Sequence, residues 1–216
     1  MITVILAAGK SERFSRYGMP KAALPGPDKK KTVLEYVIDS IEPIFCMVVY
    51  SKDHKTTMRK TIMNISQRKG SKDWLRLLWH VMVEKTSGPL DTAYKAISAL
   101  KYQDTDILIS YCDVILPASI THEFVEKCRA GGYDAGIAVF NSEDRRFQRN
   151  ILGTCNSGLF WFRSRDQFCE LAESLPKDDI NGIPDVVFSL DNIFPINVTE
   201  SVIDIGVPED YERWIA

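Results

Sequence analysis

The chain has 216 residues, is 45% hydrophobic and carries a formal net charge of -2. That length supports one sizeable hydrophobic core, so we expect a single domain over residues 1–216. The near-neutral charge gives no electrostatic reason to expect a nucleic-acid partner. No apolar run approaches the ~20 residues that a membrane-spanning helix needs, so we expect no membrane association.

Cysteine and histidine usage argues against disulfides and against zinc. No two cysteines are spaced as Cys-x-x-Cys, and most lie inside apolar runs, which predicts reduced core residues of a cytoplasmic protein. The three histidines are scattered, without the His-Glu-x-x-His spacing of a zinc enzyme. The start of the chain enters a predicted strand before any signal-peptide core could form.

The first informative stretch is a strand followed by a loop of small residues. The apolar run 2–6 predicts a buried strand, and Ala7-Ala8-Gly9 follows it directly. Small side chains let the backbone turn and approach a ligand closely. Arg13 and Lys21 place two cations shortly after the loop. A strand that leads into free backbone N–H groups with cations nearby is typical of a polyphosphate site.

Two common phosphate-binding patterns do not fit this stretch. No Gly-Lys-Ser/Thr closes a Walker A loop, and the dinucleotide fingerprint lacks its second and third glycines. The stretch instead resembles the signature of the sugar-phosphate nucleotidyltransferases, LAAGxGxRLxxxxxPKxLLP. It stands here as Leu6-Ala7-Ala8-Gly9-Lys10-Ser11-Glu12-Arg13-Phe14, then Pro20-Lys21-Ala22-Ala23-Leu24-Pro25. Ser11 replaces the usual second glycine. The alternative is a strand with an ordinary surface loop.

The next segment predicts a helix, a strand and a basic helix. Thr32 and Glu35 form a capping-box pattern ahead of an apolar helical face that ends at Pro43. Residues 45–50 and 75–83 predict strands because they are rich in β-branched and aromatic residues. Residues 52–76 are locally basic. A solvated helix face plus a loop is favoured over a surface for anions or a partner.

A Gly-Pro loop opens the following helix. Gly88-Pro89-Leu90-Asp91-Thr92-Ala93 resembles the family motif PLGTAxAI, whose loop contacts the nucleobase in relatives. Relatives carry a glutamine a few residues earlier, where this chain has Thr86. The identity of the base is therefore left open. Asp91 and Thr92 are equally suited to capping the helix.

Two carboxylates follow predicted strands in motifs that resemble metal-binding motifs of the family. Asp113 ends the apolar run 106–112, which is typical of a parallel strand buried on both faces. Ligands bind at such strand ends in open α/β sheets. The segment 202–211, VIDIGVPEDY, resembles the family's DIGTPEDY. The resemblance implies that Asp113 and Asp204 hold Mg²⁺. The alternatives are a solvated strand end and a simple strand-turn-helix packing unit.

The acceptor half of the resemblance is looser. A helix over 117–129 and a strand over 133–140 precede a region that lacks the family's Glu-Lys-Pro segment. Arg145, Arg146 or Arg149 could replace the missing phosphate-binding lysine, although an exposed hairpin loop explains them as well. Residues 154–162 resemble the family's NAGIYxF motif, in which Asn156 and Gly158 would contact the acceptor. Further helices are predicted over 164–175 and 183–190, and a strand over 193–198.

The resemblance implies an α/β fold of the three-layer, Rossmann-like GT-A type, with a mostly parallel sheet flanked by helices. It also implies an Mg²⁺-dependent nucleotidyltransferase that moves NMP from an NTP to a phosphorylated acceptor, a sugar 1-phosphate in most relatives, and releases pyrophosphate. Arg13, Lys21 and Asp113 would be the catalytic residues. The predicted nucleotide-binding residues are Leu6, Ala7, Ala8, Gly9, Lys10, Ser11, Arg13, Lys21, Thr86, Pro89, Asp91 and Thr92. The predicted acceptor-binding residues are Asn156, Gly158 and Arg149.

Three other functions are compatible with parts of the sequence. A cytidylyltransferase for a small phospho-alcohol such as phosphocholine would explain the missing Glu-Lys-Pro segment. A non-catalytic regulatory subunit of the same fold would be expected to lose its carboxylates or its Arg-Lys pair, and this chain keeps all four. A glycosyltransferase would need an Asp-x-Asp pair, but only Asp113 is present in Cys112-Asp113-Val114.

Overall fold

The computed structural model describes residues 1–9, 12–69, 78–84, 86–101, 104–142, 152–175, 182–198 and 202–216. Its strands are β1 (Ile2–Ala7), β2 (Cys46–Ser51), β3 (Leu78–Val83), β4 (Ile107–Tyr111), β5 (Val114–Ile115), β6 (Ala135–Phe140), β7 (Cys155–Phe162), β8 (Ile193–Asn197) and β9 (Ile203–Asp204). Seven of them form one sheet in the order β3-β2-β1-β4-β7-β6-β8. Only β7 runs antiparallel to its neighbours, so the prediction of a mostly parallel sheet is confirmed.

Helices cover both faces of this sheet. They are α1 (Val33–Ile41), α2 (Lys55–Arg68), α3 (Pro89–Ser98), α4 (Ala118–Ala130), α5 (Arg165–Ser174), α6 (Ile183–Phe188) and α7 (Pro208–Ile215). Helices α1, α2 and α4 share one hydrophobic core with the sheet, and α3, α5 and α6 share the other. Alternate residues of β1 supply the two cores: Ile5 faces the first, and Val4 and Leu6 face the second. This is the expected three-layer α/β arrangement.

The predicted capping box at the start of α1 is half right. The Thr32 hydroxyl accepts a hydrogen bond from the Glu35 amide at 3.4 Å, as predicted. The Glu35 side chain does not reach back to Thr32; it is 3% exposed, and its carboxylate pairs with Arg68 of α2. A carboxylate buried between two helices needs a cation more than it needs a backbone amide, because an unpaired buried charge is costly.

The basic region is a solvated helix in the part that the structure describes, residues 52–69. Lys52 pairs with Glu84 at 2.8 Å, Arg68 with Glu35, and Lys69 with Asp39. These ion pairs support the solvated-face interpretation, while residues 70–76 lie outside the described residues. All five cysteines are unpaired, and four of them are buried, as expected. Within the described ranges, no helix has the length and apolarity to cross a bilayer.

Candidate active site

The two predicted phosphate and metal motifs meet at one edge of the sheet. β1 and β4 are parallel neighbours, and Leu6 is in register with Tyr111. The Cys112 amide donates to the Leu6 carbonyl at 3.3 Å, which extends the pairing just past the end of β4. The loop at Ala8-Gly9 and the Asp113 turn therefore leave the sheet side by side. This is the edge at which open α/β sheets bind ligands.

A small two-stranded sheet brings the second carboxylate to the first. β5 and β9 pair antiparallel with Val114 opposite Asp204, and the Ile205 amide donates to the Asp113 carbonyl at 2.9 Å. The Gly206 amide donates to Asp204 Oδ1 at 2.6 Å. A Cβ added to Gly206 would lie 2.8 Å from Asp204 Oδ1 and 4.0 Å from Asp113 Oδ2. Both carboxylates thus border the space that this glycine leaves open.

Asp204 is the member of this pair whose ionised form is disfavoured. Burial, followed by the charge of Asp113, raises the pKa of Asp204 to about 6. The amide of Gly206 opposes that rise, and the nearby Lys21 does so more weakly. Two neighbouring carboxylates that are partly shielded from water repel each other when both are ionised. A cation placed there would relieve the repulsion.

Lys21 is a charged group in direct contact with Asp113 of the carboxylate pair. It begins a short 3-10 helix, Lys21–Ala23, immediately after the buried Pro20. Its ammonium forms an ion pair with Asp113 and lies 5.4 Å from the centroid of the Phe14 ring. The Lys21 side chain is only 15% exposed. Burial opposes its charge, but the surrounding groups, Asp113 foremost, together outweigh that effect and raise the pKa of Lys21.

The remaining residues of the first motif are placed around this centre in two ways. Leu6, Ala7 and Ala8 are buried, so they can offer a ligand only their backbone. Gly9 and Arg13 are exposed, and Arg13 lies on a 3-10 helix, Glu12–Tyr17. Among the described residues, Arg13 has no ion pair, which leaves its guanidinium available to an anion. Lys10 and Ser11 lie outside the described residues.

Helix α7 holds the segment that carries Arg13 and Lys21. The Tyr211 hydroxyl donates to the Pro25 carbonyl at 2.8 Å, and the Tyr211 ring meets the edge of Phe14 at 6.2 Å between centroids. Glu212 accepts hydrogen bonds from the Tyr17 hydroxyl at 2.7 Å and from Arg16 at 2.6 Å. The same C-terminal segment therefore supplies Asp204 and fixes the loop opposite it.

The predicted base-reading loop is largely engaged in its own helix start. Asp91 is buried, accepts from the Ser87 amide at 3.0 Å and pairs with Lys95 at 2.8 Å. The Thr92 hydroxyl lies 2.9 Å from the Gly88 carbonyl and 3.0 Å from the Thr86 hydroxyl. The N-cap residue is Gly88, and no side chain caps it. Asp91 binds the amide of the residue before Gly88, whereas the Thr92 hydroxyl contacts no helix amide, so the capping interpretation is wrong for Thr92. Pro89 is the first residue of α3 and is exposed.

The predicted acceptor residues lie on an irregular part of β7. Opposite β6, the register shifts between Ile137 and Val139, which marks a β-bulge at Ser157–Leu159. Gly158 has a φ of +80°, and an added Cβ would lie 2.7 Å from the Tyr111 ring. Asn156 is half-buried beside it. Bulges are common next to active sites, where they redirect side chains. Arg145, Arg146 and Arg149 lie outside the described residues.

The donor set at this edge fits one hard cation. Asp113 and Asp204 offer oxygen ligands alone, and within the described ranges no group of three or more His, Cys, Asp or Glu side chains converges on a metal. Mg²⁺ is commonly held by one or two carboxylates while waters and substrate phosphates complete its shell. A pair of carboxylates around a glycine gap, next to a lysine, matches that requirement.

Two residues around this site carry no predicted role from the sequence. Gly206 leaves the space between the carboxylates, and its position directly after Asp204-Ile205 in the DIG motif was the available signal. Phe14 lies under the Lys21 ammonium. Its contact joins residues that are seven apart across two 3-10 helices, so hydrophobic periodicity could not indicate it.

Comparison with known proteins places this geometry in a family. The model of the MobA-like NTP transferase domain matches residues 3–182. No curated protein matches the chain. Among solved structures, a nucleoside-diphosphate-sugar pyrophosphorylase from Vibrio cholerae superposes with a TM-score of 0.70 at 18% identity, over 100% of this chain and 99% of that one.

Two further structures share the fold. A Bacillus anthracis protein assigned as a glucose-1-phosphate thymidylyltransferase, solved with sucrose, has a TM-score of 0.79 at 15% identity and covers 100% of this chain and 94% of its own. The 4-diphosphocytidyl-2C-methyl-D-erythritol synthase of Anaerococcus prevotii has a TM-score of 0.69 at 15% identity, over 99% and 93%. At these identities the likeness establishes the GT-A-like fold.

Proposed function

Because the chain belongs to the MobA-like NTP transferase domain family, we propose that it transfers NMP from an NTP to a phosphorylated acceptor, with Mg²⁺ as cofactor and pyrophosphate as the leaving group. We propose a sugar 1-phosphate as the acceptor class. The fold neighbours include enzymes named for nucleoside-diphosphate sugars and for glucose 1-phosphate. A neighbour named for 4-diphosphocytidyl-methylerythritol synthesis keeps the smaller phospho-alcohols within the set to be tested.

One observation carries this proposal: three separate segments deliver Lys21, Asp113 and Asp204 to one point beside the loop at Gly9. Lys21 pairs with Asp113, and both carboxylates border the gap at Gly206. Transfer of a nucleotidyl group brings two anions together, so the protein must chiefly position them and neutralise their charge. A lysine and a metal-binding carboxylate pair next to a phosphate loop supply those two functions.

Each residue of the site would have a separate role in the nucleotidyl transfer. Backbone N–H groups around Gly9 would hold the β- and γ-phosphates, and Arg13 would neutralise the pyrophosphate as it leaves. Lys21 would hold the α-phosphate against the attacking phosphate oxygen of the acceptor. That oxygen is already anionic at neutral pH, so no general base is required. Asp113 and Asp204 would hold Mg²⁺, which when bound supplies charge neutralisation between the two phosphates.

The acceptor would occupy the space beside the β7 bulge. Asn156 is half-buried there, and the positive φ of Gly158 turns the backbone at the bulge. Side-chain amides and turned backbone groups are suited to sugar hydroxyls because they provide both donors and acceptors. We propose that these two residues select the acceptor and that Arg149 assists with its phosphate.

The experiment is a pyrophosphate-release assay with Mg²⁺. Each of CTP, UTP, GTP, ATP and dTTP is tested against a panel of sugar 1-phosphates and phospho-alcohols, including phosphocholine. Asp113→Asn is tested in parallel, with Asp191→Asn as a matched control because Asp191 is an exposed aspartate outside the site. We expect one NTP-acceptor pair to react, Asp113→Asn to be inactive and Asp191→Asn to retain full activity. Chelation of divalent metal should abolish the reaction.

The outcomes separate the candidate functions. Reaction with a phospho-alcohol alone would replace the sugar acceptor in the proposal. If no pair in the panel releases pyrophosphate but NTP still raises the melting temperature, a regulatory subunit would be favoured. Equal activity of Asp113→Asn and Asp191→Asn would remove Asp113 from the mechanism.

A further inference from the structure

The Phe14 ring is a fixed aromatic surface beneath the Lys21 ammonium. It is 1% exposed, and the Lys21 nitrogen lies 5.4 Å from its centroid, within the range of a cation–π contact. The ring is held on two sides by Tyr17, at 5.9 Å between centroids, and by Tyr211, at 6.2 Å. The Phe14 ring is therefore held in place by its neighbours, while the flexible Lys21 side chain can adjust its position to the ring.

The Phe14 ring is relevant to Lys21 because the ion pair with Asp113 competes with the proposed function of Lys21. The ammonium pairs with Asp113. When Asp113 holds a cation, its negative charge is shared, and its attraction for Lys21 falls. A lysine stem has four flexible carbons and loses rotamer entropy when it is fixed. The Phe14 ring is a contact of Lys21 that does not weaken when the charge of Asp113 is shared.

An aromatic ring meets this need better than an aliphatic side chain of similar size. Both can bury the lysine stem, but only the ring attracts the charged end through its quadrupole.

We propose that Phe14 is a positioning residue for the reaction: its ring face holds the Lys21 ammonium in place while Asp113 binds its cation. This inference rests on the proposed nucleotidyl transfer. It predicts that kcat depends on the electron density of the Phe14 ring. The KM for NTP should change little, because Gly9 and Arg13 would bind the β- and γ-phosphates independently of Lys21.

The first test replaces Phe14 site-specifically with phenylalanines carrying one to five ring fluorines. Fluorine withdraws charge from the ring face at almost constant volume, so a purely structural role is not affected. We expect kcat to fall stepwise, by about five- to thirty-fold in the fully fluorinated protein, the range of a partly to fully desolvated cation–π contact. The same series at Phe168, a buried ring packed on Phe162 at 4.9 Å, is the control. A flat response at Phe14, or equal responses at both positions, would overturn the proposal.

The second test needs no turnover. In protein with ¹³C-labelled lysine, the Lys21 ε-methylene signal, assigned by its absence from Lys21→Arg, should lie upfield because of the Phe14 ring current. Phe14→Leu should remove that displacement while circular dichroism and the melting temperature report whether the fold persists. An unchanged Lys21 signal in folded Phe14→Leu would refute the contact. A clear displacement in a protein inactive across the whole panel would instead refute the proposed function.

Discussion

Substitution of Gly158 tests whether the bulge on β7 has the geometry described above. Gly158 has a φ of +80°, and a Cβ there would lie 2.7, 3.0 and 3.1 Å from three atoms of the Tyr111 side chain. Alanine at this position therefore meets two penalties. The backbone is forced into the left-handed region, and the methyl group collides with a ring that is itself packed on Phe160 at 5.6 Å.

The two penalties can be separated in magnitude. Left-handed backbone costs a non-glycine residue about 1–2 kcal/mol. Insertion of a methyl group into a packed site costs about 1–3 kcal/mol more. We therefore expect Gly158→Ala to lower the free energy of unfolding by about 3 kcal/mol, a large share of the roughly 5–15 kcal/mol that a domain possesses.

Gly18 offers a matched control within the same chain. Its φ is +67°, but no heavy atom lies within 4 Å of an added Cβ, so Gly18→Ala should show the backbone penalty alone, about 1–2 kcal/mol. Urea unfolding followed by tryptophan fluorescence measures both variants. Adding Tyr111→Leu to Gly158→Ala should recover about 1–2 kcal/mol relative to the sum of the single changes. Equal costs for the two glycines, or strict additivity with Tyr111→Leu, would refute the reasoning.

Three further predictions concern charged groups. Arg68→Met should lower the unfolding free energy by about 3 kcal/mol in urea titrations. It leaves the Glu35 carboxylate, whose side chain is 3% exposed, buried without its cationic partner. Glu35→Gln should cost only about 1 kcal/mol, since Arg68 is 38% exposed and can reach water. Burial opposes ionisation of Asp106, but the hydrogen bond from Arg129 at 2.7 Å and the Met1 ammonium at 3.1 Å together prevail and lower its pKa. The stability that the Arg129–Asp106 pair adds is thus present above pH ~4, the ordinary value for aspartate, and is lost as pH falls through the lowered value. The stability gap between wild type and Arg129→Ala should be constant from about pH 6 to 8 and close in acid; a gap that widens in acid would contradict this sign. Finally, Lys21→Ala should lower the rate of pyrophosphate release by about 10² to 10³-fold, and near-normal turnover would exclude Lys21 from the mechanism.

The sheet could be predicted from the sequence because its strands are short apolar runs with clear ends. The run 106–112, for example, became β4 with the loss of one residue at each end. Side-chain partners could not be predicted in the same way. Glu35 had the spacing of a capping box, but its partner, Arg68, comes from the next helix and is 33 residues away in sequence. Local spacing cannot indicate which helix will cover a given carboxylate.

The site was predictable to the extent that its motifs lie at strand ends. Ala8-Gly9 and Asp113 follow strands that proved to be parallel neighbours, so their meeting follows from sheet order. The gap at Gly206 and the ring under Lys21 were not predictable. They depend on how the C-terminal segment returns to β5 and on how Tyr211 fixes Phe14. These contacts join the C-terminal segment to the middle of the chain at β5 and to the N-terminal segment at Phe14, and no local pattern encodes either.

The second carboxylate lies outside the residues that define the family match. The match ends at residue 182, and Asp204 follows 22 residues later. Its assignment is therefore supported by geometry: Val114 opposite Asp204, the Ile205 amide on the Asp113 carbonyl, and a pKa of Asp204 raised by burial and then by the charge of Asp113. The same segment anchors Phe14 through Tyr211. In the proposed mechanism, the C-terminal segment 202–216 is as much a part of the site as the phosphate loop. It supplies the metal ligand Asp204 and, through Tyr211, holds Phe14 in place.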